Sequence, residues 1–376
     1  MTALLVIVGL LVVAATAGSL AATYVMPRGN SLGLKLAFVV TRAVRLVVVT
    51  AARPLRDFPR KDAVLATIAP MALVGQLIMF LSLFMLGYAI ALSPFASSFG
   101  AALELSASQV FSAGLAHLQV RGNGPLEVLA AVTGAVAIAL QIGYLPAIYQ
   151  AFNRREALVS LMESRSGVPA WGPELLIRHQ LIAGFSSLGS LYRDWEMWSA
   201  DLAESHVSYP ILLFFRSPEP GYSFVLALLA VLDAAALQLS LLPSSTPSEA
   251  RFCLRMGFTA LRRIGATLGW QYDPDPKPED DIQLTFEEFA YAADLLANAG
   301  IALERTPEDA WPHFRGWRVN YESLAYRLAD RIVAPRAPWS GARGDLAPGV
   351  VMPDRPPHRL PGGKVIDAGR LRPPES

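Results

Sequence analysis

Charge is scarce in this chain. Only 17% of its 376 residues are Asp, Glu, Lys or Arg, whereas soluble domains carry about a quarter. That deficit, with 53% hydrophobic residues, argues against an ordinary cytosolic enzyme. Cysteine is nearly absent: Cys253 stands alone, which excludes an intrachain disulfide framework and a Cys-rich metal site. Lysine is rare too. Of 32 basic residues only Lys35, Lys61, Lys277 and Lys364 are lysines, and the Arg- and Ala-rich remainder points to a bacterial chain. A net charge of +1 leaves no global excess to draw nucleic acid, so none is expected as a partner.

What is present is long uncharged sequence. Residues 1–27, 63–103 and 128–153 contain no charge, and about 20 apolar residues suffice to cross the hydrocarbon of a bilayer. These runs predict membrane-spanning helices at about 3–26, 66–93 and 127–151. The first run has no Lys or Arg before Arg28, so it lacks the basic head of a signal peptide and reads as a span. Between spans one and two lie eight basic residues (Arg28, Lys35, Arg42, Arg45, Arg53, Arg56, Arg60, Lys61), and between spans two and three only Arg121. The positive-inside rule then sets the first loop in the cytoplasm and the N-terminus outside, with the chain after Phe152 starting inside. For a bacterial chain this means the inner membrane.

Residues 31–52 are apolar but carry Lys35, Arg42 and Arg45. At 100° per residue Lys35, Arg42 and Arg53 share a stripe, with Arg45 beside it. Two readings stand: an amphipathic helix in the inner interface with these four side chains on lipid headgroups, or a helix packed against the spans with its arginines snorkelling. Residues 221–243 are long enough to span but hold Asp233 at their centre, which costs about 2.5–3.5 kcal/mol on insertion scales. Arginines on both sides of the run favour a buried helix of a cytoplasmic domain, with Asp233 hydrogen-bonded inside it.

Beyond Arg154 the periodicity is helical over 154–165, 172–188, 190–207, 222–242, 247–269, 285–299 and 319–334. Thr246 and Ser248, beside Pro247, are candidate helix caps. Residues 273–281 form an acidic Pro-rich linker without the spacing of an EF-hand. After Pro335 there are eight prolines in 41 residues, which predicts disorder. All seven Trp lie after residue 170, as a domain with its own core requires. The organisation expected is therefore 1–27 first span; 28–62 basic interfacial segment; 63–153 two spans with an outer segment; 154–335 cytoplasmic helical domain; 336–376 disordered tail. The fold class is all-α: three transmembrane helices with a re-entrant or outer half-helix, then a cytoplasmic α-helical domain.

Catalytic signatures are missing. There is no GxSxG, no phosphate-binding Gly loop, no HExxH and no kinase set. Glu204 and His206, near Asp201, Asp194 and Glu196, form the only cluster of metal-capable side chains, but residues two apart on a helix point about 200° from each other. No enzyme, metal or cofactor is expected. Cys253 reads as a buried, inert thiol despite Arg251 and Arg255 nearby.

The outer segment is the informative one. Residues 101–111 (AALELSASQVF) suit a short half-helix, and 112–117 (SAGLAH) follow with small and hydroxyl-bearing side chains. A half-helix dipping toward the membrane must satisfy its backbone against protein or a wet cavity. The other reading is an outer amphipathic helix resting on the bundle. On residues 66–153 the chain resembles the two-span pore-loop modules of bacterial and two-pore-domain potassium channels, whose pattern is outer helix, pore helix, Thr-Val-Gly-Tyr-Gly filter and a Gly-hinged inner helix. Ser112, Ala113, Gly114, Leu115 and Ala116 fall at the filter, preceded by Ser108 on the half-helix. Gly114 matches, Ser112 substitutes for the hydroxyl, Leu115 replaces the aromatic and Ala116 the second glycine. The resemblance implies a homo-oligomer around an axis and a monovalent cation as partner, beside the bilayer itself. On the third span Gly134, Gly143 and Pro146 either supply a bend, as in the inner helix of that family, or are close-packing positions. On the same span Thr133, Ala137, Gln141 and Tyr144 share a face, with Gln76 and Ser82 of the second as expected partners. The other function class is a non-conducting membrane-anchored scaffold or sensor in which the same segment is a packed lid.

Overall fold

A computed structural model describes residues 2–25, 32–111, 124–182 and 184–355, the side chains of 32–35 excepted. The chain is all-helical; among the described residues there is no strand. It divides into two compact units, one of residues 1–51 and 64–151, the other of 52–63 and 152–376.

The first unit is built around α4 (Ile68–Leu92), an uninterrupted apolar helix. Helix α1 (Thr2–Tyr24) packs along it antiparallel. Gly9 permits the close approach: a Cβ there would lie 2.5 Å from the Gly87 carbonyl oxygen and the Ala91 nitrogen. Helix α2 (Leu32–Ala52) meets the first third of α4, where the Gln76 amide donates to Thr41 Oγ1 (3.1 Å) and, at 3.5 Å, to the Ala37 carbonyl. Gln76 is thus a partner of α2, not of the third span as expected. The short helix α3 (Phe58–Leu65) leads into α4. It is absent from the sequence expectations because eight residues hold too few turns to establish a period.

Helix α5 (Phe99–Val110) starts at Ser98, whose side chain caps the first turn by accepting from the Ala101 N–H at 3.1 Å. Helix α6 (Gly124–Ser166) runs unbroken through Gly143 and Pro146. Val13, Leu20, Phe80, Phe84, Tyr88, Val110, Ala130 and Ala137 form the core between α1, α4, α5 and α6. The outward faces are apolar too: Leu4, Ile7 and Leu11 on α1, Met71, Val74 and Ile78 on α4, and Val128, Val132 and Val136 on α6 are exposed at helical spacing.

The second unit contains α7 (Gly172–Ile182), α8 (Leu188–Ser208), α9 (Phe224–Leu241), α10 (Glu249–Thr267), α11 (Phe286–Asn298), α12 (Pro307–Arg318) and α13 (Glu322–Arg331). Helix α9 lies at its centre, packed by α7, α8, α10, α12 and α13. Among the described residues four helical stretches are long and apolar enough to cross a membrane: α1, residues 58–92, α6 and α9. Burial separates them, since 94% of the apolar window of α9 is covered by protein against 28%, 44% and 28% for the others.

Local signals explain most ends. Thr285 and Glu288 form a reciprocal capping box at the start of α11, and Thr306 caps α12 with Pro307 in its first turn. Helix α12 escapes the sequence periodicity because Pro307 and Pro312 read as breakers, although the first turn tolerates a proline. The expected helix over 172–188 is interrupted by Gly184 at φ +65° and a 3-10 turn over Gly184–Ser187. Thr246 and Ser248 do not cap α10. Thr246 Oγ1 instead donates to the Gln238 and Leu242 carbonyls at the end of α9 (2.9 and 2.7 Å), and Ser248 makes no cap bond.

The expected disorder after Pro335 is corrected for 336–355. This segment is a strap packed on the second unit, with Ala337, Trp339, Ser340 and Arg343 buried. It is tied down by Arg355, whose guanidinium clasps the Glu174 carboxylate. Proline and glycine reduce secondary structure, but burial of Trp339 against Trp171 and Phe314 supplies the docking energy that composition does not reveal. Residues 356–376 lie outside the described residues.

Candidate functional site

The half-helix α5 descends into the first unit. Near its start Ala102 and Leu105 pack with Leu92 at the end of α4. One turn on, Ser106 Oγ donates to the Met85 carbonyl at 2.7 Å, seven residues or about 10 Å back along α4. At the far end, Val110 lies against Gly134, ten residues or about 15 Å into α6. A Cβ on Gly134 would overlap the Val110 carbonyl oxygen and lie 2.8 and 2.9 Å from its carbonyl carbon and Cα. Gly134 is therefore the seat of α5, the close-packing reading of this glycine. At the same level Tyr88 Oη and Thr133 Oγ1 share a hydrogen bond of 2.8 Å that joins α4 to α6.

Within its unit α5 runs back alongside α4 and ends against α6. Its C-terminal carbonyl end, the negative end of the helix dipole, points into the bundle. Ser108 is buried on it. Ser112, Ala113, Gly114, Leu115 and Ala116 lie outside the described residues.

The face of α6 that carries Ala137, Gln141 and Tyr144 turns inward. Ala137, Gln141 and Tyr144 are buried, and Gln141 Nε2 reaches the Leu73 carbonyl at 3.4 Å. Gln141 Oε1 and the Tyr24 hydroxyl are buried without a hydrogen-bond partner among the described residues. Tyr24 stacks edge-on against Tyr144 of α6, with ring centroids 4.8 Å apart. Gly143 and Pro146 are exposed on the opposite side of α6, and nothing lies within 4 Å of a Cβ on Gly143. Neither faces the bundle. Of the basic residues expected at lipid headgroups, Arg42 and Arg53 are exposed, Arg45 is half-buried, and the Lys35 side chain lies outside the described residues.

The second unit holds two buried ionic networks. Arg318, fully buried, donates to Asp233 Oδ1 (2.5 Å), Glu322 Oε1 (2.9 Å), Tyr326 Oη (2.9 Å) and the Trp339 carbonyl (2.7 Å). Tyr321 Oη also donates to Asp233 at 2.8 Å. Burial pushes the Asp233 carboxyl up to about 6 against the pull of Arg318. Burial works to lower the Arg318 guanidinium, but Asp233 and its other neighbours overcome that and hold it charged. The pair is ionised at neutral pH and ties α9 to α12 and the strap.

In the second network Arg155 donates to the Leu212 and Phe215 carbonyls (2.8 and 2.7 Å) and to Glu156 Oε1 (2.8 Å). Its Nη1 also contacts His206 Nε2 at 3.3 Å. Because Arg only donates, Nε2 accepts and His206 Nδ1 donates to the Leu202 carbonyl at 3.0 Å. Burial and the Arg155 charge hold this imidazole well below the ordinary range, hence neutral.

These pairings disperse the cluster noted in the sequence. Asp201 binds Arg154, Glu204 binds Arg263, and His206 turns inward. Among the described residues no group of three His, Cys, Asp or Glu is placed to hold a metal. Cys253 is buried, and burial pushes its thiol up, away from reactivity. Arg318 and Arg155 escape sequence reasoning because their partners lie as far as 85 residues away; the one available signal was Asp233 inside an apolar run.

No protein-family model matches the chain, nor does any curated protein or solved structure.

Proposed function

We propose that this is an integral membrane protein of the transport class. In this reading α1, α4 and α6 cross the bilayer, α5 is a pore-loop-like half-helix and the second unit is a cytoplasmic helical domain. The single observation that carries it is the descent of α5 to the level of Gly134, with its carbonyl end directed inward. That end stabilises a cation electrostatically, as resident charge near a helix C-terminus does. The low burial of α1, α4 and α6 supports lipid contact, while the coverage of α9 supports a soluble core. The basic segment over 53–61 supports an inner-membrane orientation with the N-terminus outside. One chain supplies one half-helix, so conduction requires a homo-oligomer around an axis, and the cation selectivity is a separate question for flux measurement.

Purified protein in nanodiscs should give an oligomeric mass, and in liposomes a cation flux abolished by bulky substitution at Ser108. A monomeric mass together with no flux of any monovalent cation refutes the reading. A second reading, a non-conducting membrane-anchored scaffold or sensor, is favoured by the tight seat of Val110 on Gly134, which closes the α5–α6 interval within one chain. It predicts that Ser108→Cys stays inaccessible to aqueous thiol reagents and that its modification leaves flux unchanged.

A further inference from the structure

Two arginines of the strap carry donors that the fold leaves unused. Arg343 is only 6% exposed, and its Nη1 is anchored to the Ser340 and Ala342 carbonyls at 2.5 and 3.1 Å. Its Nε and Nη2 are buried with no partner among the described residues, and so is Nε of Arg336. Nε and Nη2 form the side-on fork of a guanidinium, the edge that grips two oxygens at once. Elsewhere in this unit the same edge does so: Arg154 holds Asp201 through Nε (3.3 Å) and Nη2 (3.2 Å), and Arg355 holds Glu174 through the same pair. Arg343 has the fork without the oxyanion.

The fork is pre-organised. Arg336 Nη2 donates to the Arg343 carbonyl at 2.6 Å, and the Arg336 guanidinium lies near enough to disfavour the charge on Arg343. Ser340 locks the turn by accepting from the Ala337 N–H (2.9 Å) and donating to the Ala337 carbonyl (2.6 Å), and Gly341 at φ +76° lets the chain double back. Lys61 reaches the strap through the Asp345 carbonyl at 3.1 Å, and Lys61 ends the basic stretch that leads into α4. The acids nearby, Asp330 and Asp345, are exposed and leave the Arg343 fork unpaired.

We propose that Arg343 and Arg336 form a binding site for a phosphate oxyanion, either a lipid headgroup phosphate or a soluble phosphate. Phosphate fits because it offers paired oxygens to the fork and a third to Arg336, where a carboxylate offers two. Burial lowers the Arg343 guanidinium to about 10, with Arg336 adding to the drop and Asp330 and Tyr326 opposing it, and an anion in the fork relieves that penalty.

The test uses the full chain in phosphatidylcholine nanodiscs, titrated with inorganic phosphate against potassium chloride of equal ionic strength, and in parallel nanodiscs doped with phosphatidylglycerol. The expected result is a saturable rise in unfolding midpoint in one arm. Arg343→Gln should weaken it about tenfold or more, and Arg251→Gln, an exposed arginine of α10, should leave it unchanged. A response to inorganic phosphate alone identifies a soluble ligand, and one to phosphatidylglycerol alone identifies a headgroup. If Arg343→Gln fails to fold, Arg336→Gln answers by the same readout. A wild-type protein that responds to neither arm, or equally to chloride, overturns the proposal, as does an Arg343→Gln protein that responds like wild type.

Discussion

Gly134→Ala is the most direct perturbation of the half-helix. The new methyl would fall on the backbone of Val110, 2.8 and 2.9 Å from its carbonyl carbon and Cα and closer still to its oxygen. Relief requires backbone movement, because the atoms opposite belong to the main chain and no flexible side chain is there to yield. Overpacking of this kind costs about 1–3 kcal/mol. Displacement of α5 also endangers the Ser106–Met85 bond, which contributes about 0.5–1.5 kcal/mol. A loss of about 2–4 kcal/mol is therefore expected, read by chemical denaturation in detergent. The control is Gly143→Ala on the same helix, where a Cβ meets nothing within 4 Å. It should be neutral or stabilising by up to about 1 kcal/mol, since Ala is the better helix former. A second assay follows Ser108→Cys, whose labelling by a maleimide should accelerate when Gly134→Ala is added. Equal stability of the two glycine variants, with unchanged labelling, would falsify the docking of α5 on α6.

Three further outcomes are expected. Arg318→Met leaves Asp233 without its buried countercharge and should cost about 3–5 kcal/mol by denaturant unfolding; adding Asp233→Leu should recover at least about 1 kcal/mol, and a purely additive double variant would refute the coupling. His206 is neutral when folded, so below about pH 6.5 the unfolded chain binds the extra proton and its contribution to stability falls by about 1.4 kcal/mol per pH unit. Asp233 acts in the opposite sense, since a carboxyl raised to about 6 makes its contribution more favourable as pH drops through that value. The informative quantity is thus the difference between wild type and His206→Gln, which should shrink as pH is lowered from 6.5; a constant difference contradicts a neutral, buried His206. Finally, a topology reporter fused after Ser248 should give a cytoplasmic signal, and an external signal would make α9 a fourth span.

Much of this was legible in the sequence because it depends on local sums. Uncharged runs of span length, the basic segment before α4, and the periodicity of α8, α10 and α11 are properties of neighbouring residues. The short helix near 101–111 was legible for the same reason, although its start at Phe99 behind the Ser98 cap was not. Which side of α6 meets it was not: Thr133, Gln141 and Tyr144 declared one face, but Gly134 and Gly143 look alike in sequence and differ only in what stands opposite.

The deeper division lies between apolarity and coverage. The sequence alone determined that four stretches are long and apolar enough to cross a bilayer. Only the tertiary structure decided that α9 is wrapped by other helices while α1, α4 and α6 keep apolar faces uncovered. Hydropathy counts what a segment carries, whereas burial depends on partners brought from a distance: Arg318 from 85 positions beyond Asp233, and Trp339 from a strap whose prolines spelled disorder. The scarcity of charge has the same two origins. Part of it belongs to surfaces that face outward, and part to a core in which some buried charges are paired, as at Asp233, and others keep donors unspent, as at Arg343.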